Sequence, residues 1–423
     1  MKILTKFAKI PKSLDMKLQF LNFFRTIHGS FRFAGILLIL GLILQVLFGG
    51  INASHFMFPV NLYVFLQLLF LTIAIWVLFR NYLFVRWLSS AKATLASISL
   101  FSVVVFIMAI VPQTPIEGSI IHIIGFNNVI YTWYYLLSIA FMLMSLGMVT
   151  LRRFLPFKGR NLPFFVIHFG LWLAMSTSIL GFADRQQAMM HVHKNQLVWN
   201  AETNDDEQIE LPFALVLNRF VVEYFPPKLA LVNREGDLYK IPGDELAPVE
   251  GDKTIHLGNY TIHIHKFYAD AFMMGDTIIN QLDLPGTSVA ALVSVVGREG
   301  QQWISPGSYM FEGSFMEIHP DTLLVLAEPD ASYYGSEVLL YTKSGIAGKE
   351  KTIAVNAPLK AEGWDIYQHS YDSFMGKDSP YSIFMVVRDP WLPVVYAGIF
   401  LMMAGAVWLM FAKVITNSNN KEL

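Results

Sequence analysis

The chain contains 11 histidines and no cysteine, so imidazoles and carboxylates are the groups left for metal or acid–base chemistry. Without thiols there are no disulfides, no thiolate metal sites and no prosthetic group bonded through this chain's own sulfur. The sharpest histidine is His168, in Phe164-Phe-Val-Ile-His168-Phe-Gly-Leu-Trp172, inside an apolar stretch free of formal charge. An ionisable group in such a stretch is costly and marks a functional site by default. Helical spacing puts Phe164 at i−4 and Trp172, Met175 and Ser176 at i+4, i+7 and i+8 from it. That face is aromatic and polarisable, suited to a flat macrocycle whose iron takes an axial imidazole. A histidine that donates to a neighbouring helix carbonyl satisfies the same residues, and an aromatic stripe also serves plain helix packing. A proton relay would need Asp, Glu or further His partners within the spans, and the sequence has none there.

The other histidines carry less. His191 and His193, in Met189-Met-His-Val-His193-Lys, share one face of a strand at i, i+2. They are a second place for a metal or macrocycle contact, or simply two solvated side chains. His263 and His265 repeat the arrangement, while His256, His319 and His369 stand alone without zinc-site spacing. His28, His55 and His122 fall near the ends of apolar stretches. Glycine-rich phosphate loops, nucleophile elbows and paired carboxylates are missing from the sequence.

The elements that must position these groups are read from hydropathy. The 423 residues are 54% hydrophobic and only 15% charged, with mean hydropathy +0.46, where globular proteins carry roughly 25% charged residues. A hydrocarbon core needs about 20 apolar residues in helix. Six stretches qualify: Phe33 to Asn52, Leu62 to Phe79, Ala93 to Pro112, Val129 to Thr150, Leu162 to Ala183 and Trp391 to Ala412. Basic residues set the orientation. They precede the first span (Lys2, Lys6, Lys9, Lys12, Lys17, Arg25 and Arg32, against Asp15) and follow the last (Lys413, Lys421). They also fill the connections after spans two (Arg80, Arg86, Lys92) and four (Arg152, Arg153, Lys158, Arg160), whereas the loops after spans one and three hold only Glu117. The expectation is a multi-pass protein of the cytoplasmic (inner) membrane with both termini cytoplasmic. The net charge of −1 leaves no basic excess for nucleic acid.

Asp184 to Pro390 then lies outside the cytoplasm and reads differently. Tyr260 to Phe267 and Tyr381 to Val387 alternate with period two, as half-buried strands do. Turns recur at Pro226-Pro227, Asn233 to Gly236, Pro242-Gly243, Glu250 to Asp252, Pro285-Gly286 and Pro306-Gly307. The expected fold is a polytopic α-helical membrane protein of six transmembrane helices, with a large extracytoplasmic β-rich domain between helices five and six. The divisions are 1–84 (N-terminus and two additional helices), 85–183 (three core helices), 184–390 (the β-rich domain) and 391–423 (last helix and tail). Gly398 and Gly405, beside Ala397 and Ala404, form a small-residue face for close helix contact, inside this chain or with a partner. Trp391 and Tyr396 read as interfacial anchors.

Several stretches together resemble one family, the ResB (CcsB) proteins of System II cytochrome c biogenesis. They are Ala91-Lys-Ala-Thr and Val111-Pro-Gln-Thr114, then Tyr131-Thr-Trp-Tyr-Tyr135 with Arg152-Arg153, then Phe165-Val-Ile-His168-Phe-Gly170. In the β-rich part the matching stretches are Leu211-Pro-Phe213 through Val221-Val-Glu-Tyr224, Ile353 to Leu359, Gly363-Trp-Asp-Ile-Tyr-Gln368-His-Ser-Tyr371 and Arg388-Asp389-Pro390. The resemblance covers residues 85 to 412. Residues 1 to 84 add two spans, and Trp391 stands where the family often has glycine.

The resemblance implies a component of a haem handover and cytochrome c synthetase complex, delivering haem to apocytochrome c outside the membrane. His168 would be the axial ligand of a transiently bound haem, with Trp172, His191 and His193 as further contacts. The partners implied are a ResC (CcsA)-type membrane protein carrying the tryptophan-rich haem motif, which this chain lacks, the apocytochrome and membrane lipid. The chain would be a synthase subunit that does not act alone. The contrasting possibility is a membrane-anchored sensory or scaffold protein whose outer β domain binds a ligand. A transporter should show broken helices, repeats or paired intramembrane charges, and the sequence shows none.

Overall fold

The computed structural model describes residues 24–114, 118–204, 206–239, 247–249, 253–274, 277–280, 284–343 and 345–419. The basic residues from Lys2 to Lys17, Asp15, Glu117, Lys421 and the turns at Pro242-Gly243 and Glu250 to Asp252 lie outside them. The chain divides into a helical unit, residues 1–185 with 389–423, and a β unit, residues 186–388.

Six helices are long and apolar enough to cross a membrane. They are α1 (Ile27–Phe48), α2 (Val60–Phe79), α3 (Ala91–Ile110), α4 (Trp133–Phe154), α5 (Leu162–Gly181) and α6 (Leu392–Asn419). Their ends follow capping chemistry rather than hydropathy. Thr26 accepts from Gly29 N at 3.0 Å, so α1 starts six residues before the apolar run expected from Phe33 and takes in Arg32. Gly49, at φ +72°, stops it before Asn52. The fourth helix begins at Trp133 instead of Val129, because residues 129–131 form a 3₁₀ turn and Thr132 caps Tyr135 N.

α4 is the hub: 56% of its apolar window is buried, against 11–28% for the other five. Those five expose Ile, Leu, Phe and Val side chains that water would not tolerate in such number. Polar side chains tie the helices where apolar faces cannot discriminate. Ser145 donates to Leu88 O at 3.1 Å and Trp172 Nε1 to Leu143 O at 3.1 Å. α5 and α6 pack backbone to backbone: a Cβ at Gly170 would lie 2.6 Å from Gly398 O, and one at Gly398 2.6 Å from Ala174 N. The small-residue face thus serves a contact inside this chain.

Charge separates along the helical unit. At one end Lys92 Nζ donates to Arg25 O, Arg152 to Ser89 O and Asn161 to Arg153 O, gathering the basic connections. At the other, Ile51 N meets Tyr131 O and Trp133 Nε1 meets Gly49 O. The only acidic residues among the described part of this unit, Asp184 and Asp389, lie at the ends of α5 and α6 away from the basic connections. Both belong to the helical unit rather than the β domain in which the sequence placed them, because Asp184 binds α2 and α6 and Asp389 caps α6.

The β unit is built of antiparallel sheets, strands numbered in chain order. The largest has the order β14 (Gly345–Ala354), β13 (Ala331–Thr342), β3 (Gln208–Tyr224), β2 (Leu197–Thr203), β1 (Gln186–His193), β17 (Tyr381–Arg388), β16 (Trp364–Tyr371), β15 (Leu359–Ala361). A second contains β10 (Gln302–Ile304), β9 (Ser288–Val295), β7 (Tyr260–Met274) and β6 (Lys253–Leu257), with β8 (Thr277–Asn280) beside β7. The third contains β11 (Met316–His319), β12 (Thr322–Leu326), β4 (Lys228–Val232) and β5 (Ala247–Pro248). Alternation decides what is buried. Ala188, Met190 and Val192 of β1 face the same core as Phe384 and Val386 of β17, and Ile262 and Ile264 of β7 belong to a second core. Gln186 pairs with Arg388, so the unit's first and last residues are neighbours.

Candidate functional site

His168 lies on α5, about 9 Å along the axis from the helix start and therefore in the half nearer the basic end. Its Nδ1 lies 2.9 Å from Phe164 O, one turn back on the same helix. A carbonyl only accepts, so Nδ1 carries the proton and Nε2 keeps its lone pair. No hydrogen-bond partner meets Nε2 among the described residues. The ring stacks on Phe164 with centroids 3.7 Å apart, and the Arg153 guanidinium carbon sits 4.1 Å from the centre of that same phenyl ring. The imidazole is thus held in orientation and tautomer, partly exposed, with one free ligand nitrogen. Backbone anchoring of the distal nitrogen is how metal-bound histidines are generally fixed.

Trp172 takes a different role. It is buried against α4, with its indole N–H on Leu143 O, and Ser176 bonds back to Trp172 O at 2.7 Å. It belongs to an aromatic row along the neighbouring face of α5: Phe154 on Phe165 at 4.2 Å, Phe165 on Phe169 at 5.5 Å, then Phe169 to Trp172 at 6.3 Å. Beside that row is an apolar cavity of about 90 Å³, lined by Thr72, Gly147, Phe165, Phe169 and Trp172 and not by His168. Ligand pockets for flat, drug-sized molecules run to about 300–1,000 Å³. This cavity is too small for a macrocycle. The His168 Nε2 is a donor of the type haem iron takes, and the 90 Å³ cavity gives it no wall.

His191 and His193 are exposed on one face of β1, His193 with its ring 5.5 Å from that of Tyr381. They fall in the β unit and His168 in the helical unit. His263 bonds Thr254 and His265 bonds Ser294, each at 2.7 Å, as half-buried strand histidines do. Among the described residues, no three His, Asp or Glu side chains converge as a metal cluster would.

Two constellations escape the sequence. Asp184 accepts from Phe58 N at 2.7 Å, Asn61 Nδ2 at 2.8 Å and Trp391 Nε1 at 2.7 Å, fastening α2, α5 and α6 through one carboxylate. The signal available was its rarity as an acid at a span end. In the β unit, a cleft of about 890 Å³ is walled by Tyr224, Phe225, Phe267, Tyr309, Tyr371 and Phe374. Lys377 joins Asp270 and donates to Thr287 at its floor, and Asp378 accepts from Gly286 N at 2.7 Å and Tyr309 O–H at 3.0 Å. Burial, then the charges of Tyr371, Glu328 and Asp378, push the Tyr224 phenol up to about 12. Tyr309 is raised by burial and then by Asp378. These phenols stay neutral donors at physiological pH, on rings that can stack against a planar ligand.

No protein-family model and no curated protein matches the chain.

Proposed function

We propose that the chain is the ResB-type half of a haem handover and cytochrome c synthetase complex, a multi-pass protein of the cytoplasmic membrane. The observation that carries this reading is His168: Nδ1 held by Phe164 O, Nε2 unpartnered, the ring partly exposed on an otherwise apolar helix. Haem bound there would supply an iron that takes an imidazole nitrogen, and the chain's own residues would hold that nitrogen in place. His168 would give one axial nitrogen, neutral and so cheap to bury. Phe164 would hold the ring flat against the helix, and Arg153 would fix Phe164 in turn. The 90 Å³ cavity on α5 is not lined by His168, so this reading requires a ResC-type partner to supply the wall against which a macrocycle would lie.

Sidedness follows from the positive-inside rule. The end that gathers Arg25, Arg80, Arg86, Lys92 and Arg152 would be cytoplasmic, and the Asp184 end external. The β unit, joined to α5 and α6, would then lie outside, where the apocytochrome is met. His191 and His193, exposed on β1, would be available there to a passing haem.

The test is the absorption spectrum of the complex purified with its partner. His168→Ala should lower retained haem and cytochrome c maturation about tenfold or more, the scale of losing an ordered metal ligand shell, and added imidazole should restore haem. Unchanged haem occupancy together with unchanged maturation would sink the proposal. The 890 Å³ tyrosine-walled cleft supports a second reading, an outer domain that binds a planar or aromatic ligand in a sensor or scaffold. Maturation unaffected by His168→Ala but abolished ligand capture on Tyr371→Ala would favour that reading.

A further inference from the structure

The basic end of the helical unit does more than set orientation. A cavity of about 500 Å³ there is lined by Arg25, Arg80, Arg86, Lys92 and Arg152, and no carboxylate lines it. Among the described residues the acids of the helical unit, Asp184 and Asp389, are at the opposite end. Two of the cations are pinned in place by backbone: Lys92 Nζ on Arg25 O at 2.6 Å and Arg152 Nη1 on Ser89 O at 3.0 Å. Like charges gathered around one cavity repel one another, and an anion entering it would meet several cations at once.

A second observation points the same way. Two indoles line the cavity, Trp76 and Trp87. Trp87 Nε1 donates to Ser30 Oγ at 2.8 Å, but Trp76, 7% exposed, buries its N–H with no acceptor among the described residues. A buried donor left without an acceptor costs about 1–3 kcal/mol, but this N–H is closed off from the cavity, so the rings bear on it as apolar surface. Next to it Phe79, Tyr82 and Phe84 are exposed, at 45%, 65% and 44%. An anionic, oxygen-rich head against the cations with an apolar tail along these rings describes an acidic phospholipid.

We propose that this cavity binds the phosphate headgroup of an acidic phospholipid, with the Arg and Lys side chains on the phosphate oxygens. The proposal rests on the membrane reading but not on haem binding. The full chain, purified and delipidated in neutral detergent, is mixed with dioleoyl phosphatidylglycerol, dioleoyl phosphatidylcholine or inorganic phosphate, and bound lipid and melting temperature are read. Phosphatidylglycerol should be retained and should raise the melting temperature, and phosphatidylcholine should not. The pair Arg86→Gln with Arg152→Gln should weaken retention about 30-fold, Arg86→Lys with Arg152→Lys should restore most of it, and His168→Ala should leave it unchanged. Equal retention of both lipids, or unchanged retention in the glutamine pair, would overturn the proposal. So would stabilisation by phosphate alone equal to that by the lipid, or loss of haem instead of lipid in the glutamine pair.

Discussion

The helical and β units solve the same problem with opposite means. In the β unit, alternation sorts residues: Leu215, Leu217, Phe384 and Val386 face inward, and the polar pairs, such as Arg219 with Glu337 on β3 and β13, sit at the surface. In the helical unit the outer faces are as apolar as the inner ones, so burial does not specify which face meets which. There the arrangement is written in a few exceptions: glycines where backbones touch, Asp184 with its three donors, indoles aimed at carbonyls. The lesson is that a polar group's weight depends on how many alternatives its surroundings offer.

The comparison breaks if exceptions in the helical unit prove dispensable. Gly398→Leu should have the largest effect, because its side chain meets backbone of α5 that cannot step aside. A loss of about 3 kcal/mol or more is expected, read as a fallen melting temperature or an aggregated profile in size-exclusion chromatography. Asp184→Asn should cost about 1.5–3 kcal/mol, the worth of hydrogen bonds to a charged group. Adding Trp391→Phe to Asp184→Asn should then cost little more, since the two share one bond. Full additivity in that double-mutant cycle would remove Asp184 from the role assigned to it.

Titration sharpens the β half of the comparison. The Tyr224 pKa is raised to about 12 from 10, so the folded state holds this proton longer than the unfolded chain does. Its contribution is complete below the unfolded value, declines as pH rises from about 10 and is lost above the folded one. Tyrosinate absorbance should accordingly show one phenol titrating late, and Tyr224→Phe should flatten the alkaline loss of stability. The smallest effect belongs to Glu337. Its hydrogen bond and charge interaction with Arg219 hold its carboxyl below the ordinary value, so its contribution is present above the unfolded pKa and lost as pH falls through the folded one. Both side chains are well exposed, and water and salt screen the pair. Glu337→Gln should move the melting temperature within experimental scatter, and a clear drop would show that surface pairs carry more of the β unit than alternation does.

How much of this was legible beforehand varies with the range of the interaction. The six apolar helices and the strands β7 and β17 follow from local patterns, of hydropathy in one case and period two in the other. Helix ends were misplaced by several residues where a cap outvoted hydropathy, as at Thr26 and Thr132. The ring of His168 bonds a carbonyl of its own helix through Nδ1, the kind of anchor the packing reading expects, and Nε2 keeps its lone pair. Trp172 shares the helical face by spacing but is spent on α4, which spacing alone could not tell. Asp184 was invisible because its partners lie 123 and 207 positions away. The cationic cavity was written as three separate basic connections, and only the packing of α1, α3 and α4 brings them to one place.

The pairing of β1 with β17 has a bearing on how the molecule is made. The β1–β17 ladder of the largest sheet joins residues about two hundred positions apart, Gln186 with Arg388. During synthesis β1 emerges early and must wait, with one edge open, until almost the whole domain has followed it. Such distant closure is slow, and an exposed edge strand invites the wrong neighbour. A ribosome stalled before Tyr381 would therefore leave a nascent chain with a half-built sheet, primed for chaperone capture.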